Sequence, residues 1–138
     1  MNLNRVSKGF WIWGGFLDEE TKYLKEIQKQ VHSKLPSPSF DMHITLAGPY
    51  FFIDLNFKKS IKSFCKNNSL FKIELCEYKY KQENFQSFFI RVKKDNNLID
   101  LRNYLFNLKS FKNQSVFYPH ISLSYEKDEI LEKKNLVS

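Results

Sequence analysis

The chain has 138 residues, 42% hydrophobic and 17% aromatic, with 22 Lys and Arg against 15 Asp and Glu for a net charge of +7. That length fits one domain with a core of useful size, and the scarcity of Gly and Pro excludes collagen-like, low-complexity and disordered classes. The positive charge favours encounter with anions such as nucleotides or RNA, but without a dense basic block it is a weak signal. No apolar run reaches transmembrane length, residues 1–8 are too polar for a signal peptide, and Cys65 and Cys76 lack metal spacing. A reduced cytoplasmic protein with no membrane partner is expected.

Residues 9–16, GFWIWGGF, are aromatic and β-branched and read as a strand. Asp18 is placed to N-cap a helix, with Glu19 and Glu20 at the positive end of its dipole. Leu24, Ile27, Val31 and Leu35 keep helical spacing until Pro36 and Pro38 stop it. FDMHITLA, residues 40–47, reads as a strand broken by Gly48-Pro49. A helix over about 56–67 follows, with Phe57, Ile61, Phe64 and Cys65 on one face, and Asn67-Asn68 ends it. Residues 69–80 alternate Phe71, Ile73 and Leu75 against Lys72, Glu74 and Cys76, the period of a strand. A turn near Glu83-Asn84 leads into a strand at 85–93, FQSFFIRVK. Asp95 to Asn97 cap a third helix whose inward face is Leu98, Leu101, Leu105 and Leu108. VFYPHISLSY, residues 116–125, is the last clear strand, and a short charged helix over about 128–134 follows it.

The order repeats: strand, helix and His-Ile-Thr-Leu are followed later by strand, helix and His-Ile-Ser-Leu. Two similar α+β halves within one domain over residues 1–138 are expected, each contributing one histidine strand. Side chains alternate between the faces of a strand, so His43 and Thr45 point one way while Ile44 and Leu46 point to a core. His120 and Ser122 stand in the same relation to Ile121 and Leu123. Side by side, the two strands offer two imidazoles, suited to proton transfer near neutral pH, and two hydroxyls able to donate to phosphate oxygens. One HxT would carry little weight, but two in the same apolar frame are hard to obtain by chance. The third histidine, His32, falls on a helix without such a frame and reads as a surface residue. A zinc site would need a third protein ligand; Asp41 shares the His43 face only by period, so neither metal nor cofactor is expected.

These paired motifs resemble the 2H phosphoesterase superfamily, named for two HxT/S motifs on symmetrically related strands. The sequence is most similar to the plant and yeast type of cyclic nucleotide phosphodiesterase, which opens cyclic phosphates from tRNA splicing. FYPHISLSY resembles that branch's second motif, the segment from Trp13 to FDMHITL its first half, and FQSFFIRV is also similar, so the likeness runs over nearly the whole chain. The resemblance implies two pseudo-symmetric lobes of antiparallel sheet with flanking helices and an active-site cleft between them. It implies that one of His43 and His120 activates water while the other protonates the leaving oxygen, and that Thr45 and Ser122 hold the phosphate. Tyr125 matches a position where this branch has Tyr and bacterial RNA ligase-like members have Arg, which makes it a phosphate or pocket contact. Trp13 resembles an aromatic that packs on the nucleotide, although core packing would equally explain it. Two departures stand out: Met42 precedes His43 where the family often has Pro, and the family usually continues with further strands beyond the second motif. A minimal fold, or an edge covered by a partner chain, is the corresponding expectation.

The implied activity is metal-independent hydrolysis of a nucleoside 2′,3′-cyclic phosphate or ADP-ribose 1″,2″-cyclic phosphate, in RNA processing. The same motifs would serve a 2H enzyme degrading 2′,5′-oligoadenylates or cyclic oligonucleotide immune signals. A non-catalytic RNA- or nucleotide-binding module is the third possibility, opposed by the presence of both imidazoles.

Overall fold

Among the described residues the regular elements are β1 (Phe10–Gly14), α1 (Asp18–His32), β2 (Ile44–Tyr50), α2 (Leu55–Asn67), β3 (Leu75–Tyr80), β4 (Phe88–Val92), α3 (Asn96–Asn107), β5 (His120–Ser124) and α4 (Ile130–Val137). They are seen in a computed structural model that describes residues 10–50, 53–83, 85–108 and 116–138. The readings of residues 1–8 and of Asn84 in a turn therefore lie outside the described residues. The fold is α+β, and hydrogen-bonded strands follow the order β1-β2-β5-β4-β3. The pairings of β2 with β5, β4 with β5 and β3 with β4 are antiparallel. No described helix is long and apolar enough to cross a membrane.

The chain divides into two compact units. One holds most of β1 and β2 with α2 and α3; the other comprises Gly14–Ile44, Glu74–Lys93 and Tyr118–Ser138. In the first, Tyr50 packs its ring 4.9 Å from that of Phe57 and donates its hydroxyl to the Leu105 carbonyl at 3.2 Å. Leu98 and Leu105 are buried as the helical spacing requires, and Phe106 joins them. The carboxylates of Asp54 and Asp95 accept the Phe57 and Leu98 amides at 2.7 and 3.0 Å, capping α2 and α3. Cys65, expected on the inner face of α2, is exposed.

The core of the second unit includes Leu24, Val31, Leu35, Met42, Ile44, Phe88, Phe89, Ile90, Val92, Ile121 and Leu123. Asp18 does not cap α1: the Leu17 carbonyl accepts the Thr21 amide at 2.8 Å, which makes Leu17 the N-cap and puts Asp18 inside the first turn beside Glu19 and Glu20. Leu35 is buried beyond the helix end. The alternation expected over 69–80 is shorter in the structure, because residues before Leu75 are not strand and the register shifts between Leu75 and Tyr78. An irregularity of that kind changes which residues share a face.

Gly48-Pro49 does not end its strand but lies inside β2. Gly48 takes φ +136°, and a Cβ there would meet the Trp11 ring at 2.7 Å and the Phe10 carbonyl at 2.9 Å. Only glycine accommodates both constraints, so the residue that reads as a breaker permits close approach of β1. The strand accordingly starts later than expected, at Ile44, and His43 immediately precedes it.

Candidate functional site

β5 lies between β2 and β4. On one side Ile44 pairs with Ile121; on the other, Ile90 pairs with Ile121, Phe89 with Ser122 and Arg91 with His120. In the antiparallel register of Ile44 and Ile121, one step back along the first chain is one step forward along the second, so His43 comes across from Ser122. Ile44, Ile90 and Ile121, at 3%, 3% and 0% exposure, seal the core face. The alternate positions His43, His120 and Ser122 thus share the other face, joined there by Phe89 and Arg91.

The two imidazoles are held in the same way. His43 Nδ1 lies 2.7 Å from the Asp41 carbonyl oxygen, and His120 Nδ1 lies 2.7 Å from that of Tyr118. A carbonyl only accepts, so Nδ1 carries the proton in each ring, and Nε2 is the basic nitrogen of the neutral form. Each histidine thus uses the carbonyl two residues upstream to fix its tautomer.

The electrostatic settings differ. Burial lowers both pKa values and is the largest influence on each. At His43 the hydrogen bond to Asp41 and that residue's carboxylate oppose the shift, while the charge of His120 adds to it. At His120 the bond to Tyr118 opposes the shift, and the Lys81 ammonium reinforces it. The two imidazoles are near enough for their charges to repel.

Ser122 is 8% exposed and donates its hydroxyl to the Phe85 carbonyl at 3.3 Å. The Tyr125 ring stacks on Phe40 with centroids 4.1 Å apart and meets Phe85 edge-on at 6.0 Å. Burial raises the Tyr125 pKa, and a hydrogen bond with Ser122 partly opposes that rise. The structure therefore brings together His43, His120, Ser122 and Tyr125 within the second unit. Thr45 and Trp13 belong to the first unit: Thr45 is a half-buried residue of β2, and Trp13 a residue of β1 at 51% exposure.

His32, read as a surface residue, is instead half-buried, with Nε2 2.8 Å from the Leu123 carbonyl. It ties α1 to the strand carrying the second motif. Sequence reading also missed Phe89, whose ring lies 5.1 Å from that of His120, and Tyr118, whose ring lies 5.9 Å from the same imidazole. The alternation of Phe89 and Arg91 within FFIRV was visible, but the pairing that sets them beside Ser122 and His120 was not. Among the described residues, no group of three or more His, Cys, Asp or Glu side chains forms a metal-holding cluster. No family model matches the sequence, and no curated protein matches it significantly.

Proposed function

We propose that this chain is a metal-independent cyclic phosphodiesterase of the two-histidine, 2H phosphoesterase type, with the two-lobed fold that the resemblance implies. The observation that carries the reading is the matched pair of imidazoles, each donating Nδ1–H to the carbonyl two residues upstream and each with Nε2 as the basic nitrogen of its neutral form. A pure binding surface has no use for two rings with fixed tautomers and proton affinities lowered by burial.

The nearby charges suggest a division of labour. Lys81 disfavours a proton on His120, which suits the base, while Asp41 favours one on His43, which suits the acid. His120 Nε2 takes a proton from water, and the water oxygen forms a bond to phosphorus. The P–O bond to one ring oxygen breaks, and His43, entering as the imidazolium with Nδ1–H held by the Asp41 carbonyl, delivers its Nε2 proton to that oxygen, leaving a phosphomonoester, a neutral His43 and a protonated His120. Ser122 donates to a phosphate oxygen in exchange for its long bond to Phe85, and the resemblance alone gives Thr45 the second hydroxyl. Tyr125 lines the pocket beside Ser122, and the resemblance alone gives Trp13 a role against the nucleotide.

The direct test is incubation of the purified chain with nucleoside 2′,3′-cyclic phosphates and ADP-ribose 1″,2″-cyclic phosphate in EDTA. Turnover of at least one is expected. Turnover of neither would remove this activity, and salt-sensitive RNA binding without turnover of any phosphodiester would point to a binding module.

A further inference from the structure

Beyond His120, on the side away from β2, the same sheet face carries a group of polar side chains that the two-histidine chemistry leaves largely unexplained. Arg91 is the β4 partner of His120. Its guanidinium is clamped by Glu77, with Nε 2.7 Å from one carboxylate oxygen and Nη2 3.0 Å from the other. This two-point grip fixes the plane of the guanidinium. Lys79 approaches the same carboxylate at 3.8 Å. Lys81 Nζ lies 5.9 Å from the centroid of Tyr118, and the Tyr118 ring lies 5.9 Å from that of His120. Lys79 and Arg91 thus share the Glu77 carboxylate, while Lys81, whose Nζ donates to Gln86 Oε1 at 2.6 Å, lies over the Tyr118 ring beside the imidazole.

An excess of positive charge on one strand edge is ordinarily a solvated surface. Here three features mark it out. It adjoins His120 through the strand register, its guanidinium is oriented, and its lysine is near enough to His120 to influence it. We propose that Lys81, Arg91 and Tyr118 form a second phosphate subsite, which takes the phosphodiester next to the one at the histidines. This rests on the phosphodiesterase reading and sharpens it: the preferred substrate is an oligonucleotide rather than a mononucleotide. Lys81 and Arg91 contact the neighbouring phosphate, and the Tyr118 hydroxyl donates to it. Glu77 competes with the phosphate for Arg91 and offsets part of its charge, and Gln at this position keeps a hydrogen-bond acceptor while removing that charge.

The test compares a nucleoside 2′,3′-cyclic phosphate with a dinucleotide ending in the same cyclic phosphate, so that the substrates differ by one nucleotide and its diester. The wild-type kcat/KM ratio, dinucleotide over mononucleotide, should be about tenfold, the scale of one charge-assisted hydrogen bond. It should fall towards unity in Arg91→Met and in Lys81→Met, and at high salt. In Glu77→Gln the ratio should rise, because a negative charge is removed from the subsite. A merely structural Glu77–Arg91 pair predicts instead that both variants act alike. A wild-type ratio near one, or a ratio unchanged in both cation variants, overturns the proposal.

Calorimetric binding of a 3′-phosphorylated dinucleotide against a 3′-mononucleotide separates this claim from the one it rests on. If nothing is turned over but the dinucleotide binds about tenfold tighter, and Arg91→Met abolishes that preference, the subsite stands and the phosphodiesterase reading falls. Equal binding of the two ligands overturns the subsite whatever the enzyme hydrolyses.

Discussion

His43 and His120 share one restraint and differ in their neighbours. Each donates Nδ1–H to the carbonyl two residues upstream, at 2.7 Å in both cases. Around His43 the carboxylate of Asp41 favours the protonated ring, whereas around His120 the ammonium of Lys81 disfavours it. The backbone makes the rings alike, and side chains from outside the two motifs make them different. A sequence repeat can encode two equivalent groups; their proposed division into acid and base would come from what is packed beside them.

The largest expected effect tests what the two arms share. His43→Ala and His120→Ala should each reduce turnover by about 10²–10⁴-fold, the usual cost of losing a general acid or base. Full activity in either variant would break the symmetry of the pair. Ser122→Ala should cost less, about 10–100-fold in kcat/KM, if its hydroxyl exchanges Phe85 for a charged phosphate oxygen. An effect no larger than that of a distant surface serine would remove Ser122 from the site.

The pH dependence tests what the arms do not share. With His120 as base and His43 as acid, the acidic limb of the kcat/KM profile follows the former and the alkaline limb the latter. Lys81 lowers the His120 pKa, so Lys81→Met should raise it and move the acidic limb to higher pH. Asp41 raises the His43 pKa, so Asp41→Asn should lower it and move the alkaline limb to lower pH. Each substitution therefore narrows the bell from a different side. Because the rings interact, the limbs belong to the pair, and the direction of each movement is the diagnostic quantity. Movement of the opposite limb in each variant would reverse the assignment of acid and base. The smallest expected effect is that of EDTA, which should leave the wild-type rate unchanged; loss of activity restored by a divalent cation would contradict the metal-independent mechanism.

The sequence showed the residues of each motif but not their surroundings. Strand period placed His120 and Ser122 opposite Ile121 and Leu123, and the core face is as dry as that pattern required. Asp54 and Asp95 precede helices that they cap, although only Asp95 was read as part of a cap. The Asp41 and Tyr118 carbonyls were not legible as tautomer-fixing acceptors, because every residue has a carbonyl and only the local backbone path aims it. Lys81, just past β3, and Arg91, on β4, lie far from both motifs in sequence, and the relation of Arg91 to His120 depends on register. Gly48-Pro49 was misread because its usual role as a breaker says nothing about the approach of Trp11. His32 was misjudged for a similar reason: its partner is a backbone carbonyl 91 residues away.

The central claim is that both imidazoles serve one phosphorus. A crystal structure of the chain with a bound nucleotide phosphomonoester tests this most directly. The account predicts a single phosphate with Nε2 of His43 and Nε2 of His120 both within hydrogen-bond distance of its oxygens, and with the Ser122 hydroxyl turned from Phe85 to the phosphate. A phosphate held away from either imidazole, with the two rings on separate partners, would contradict it.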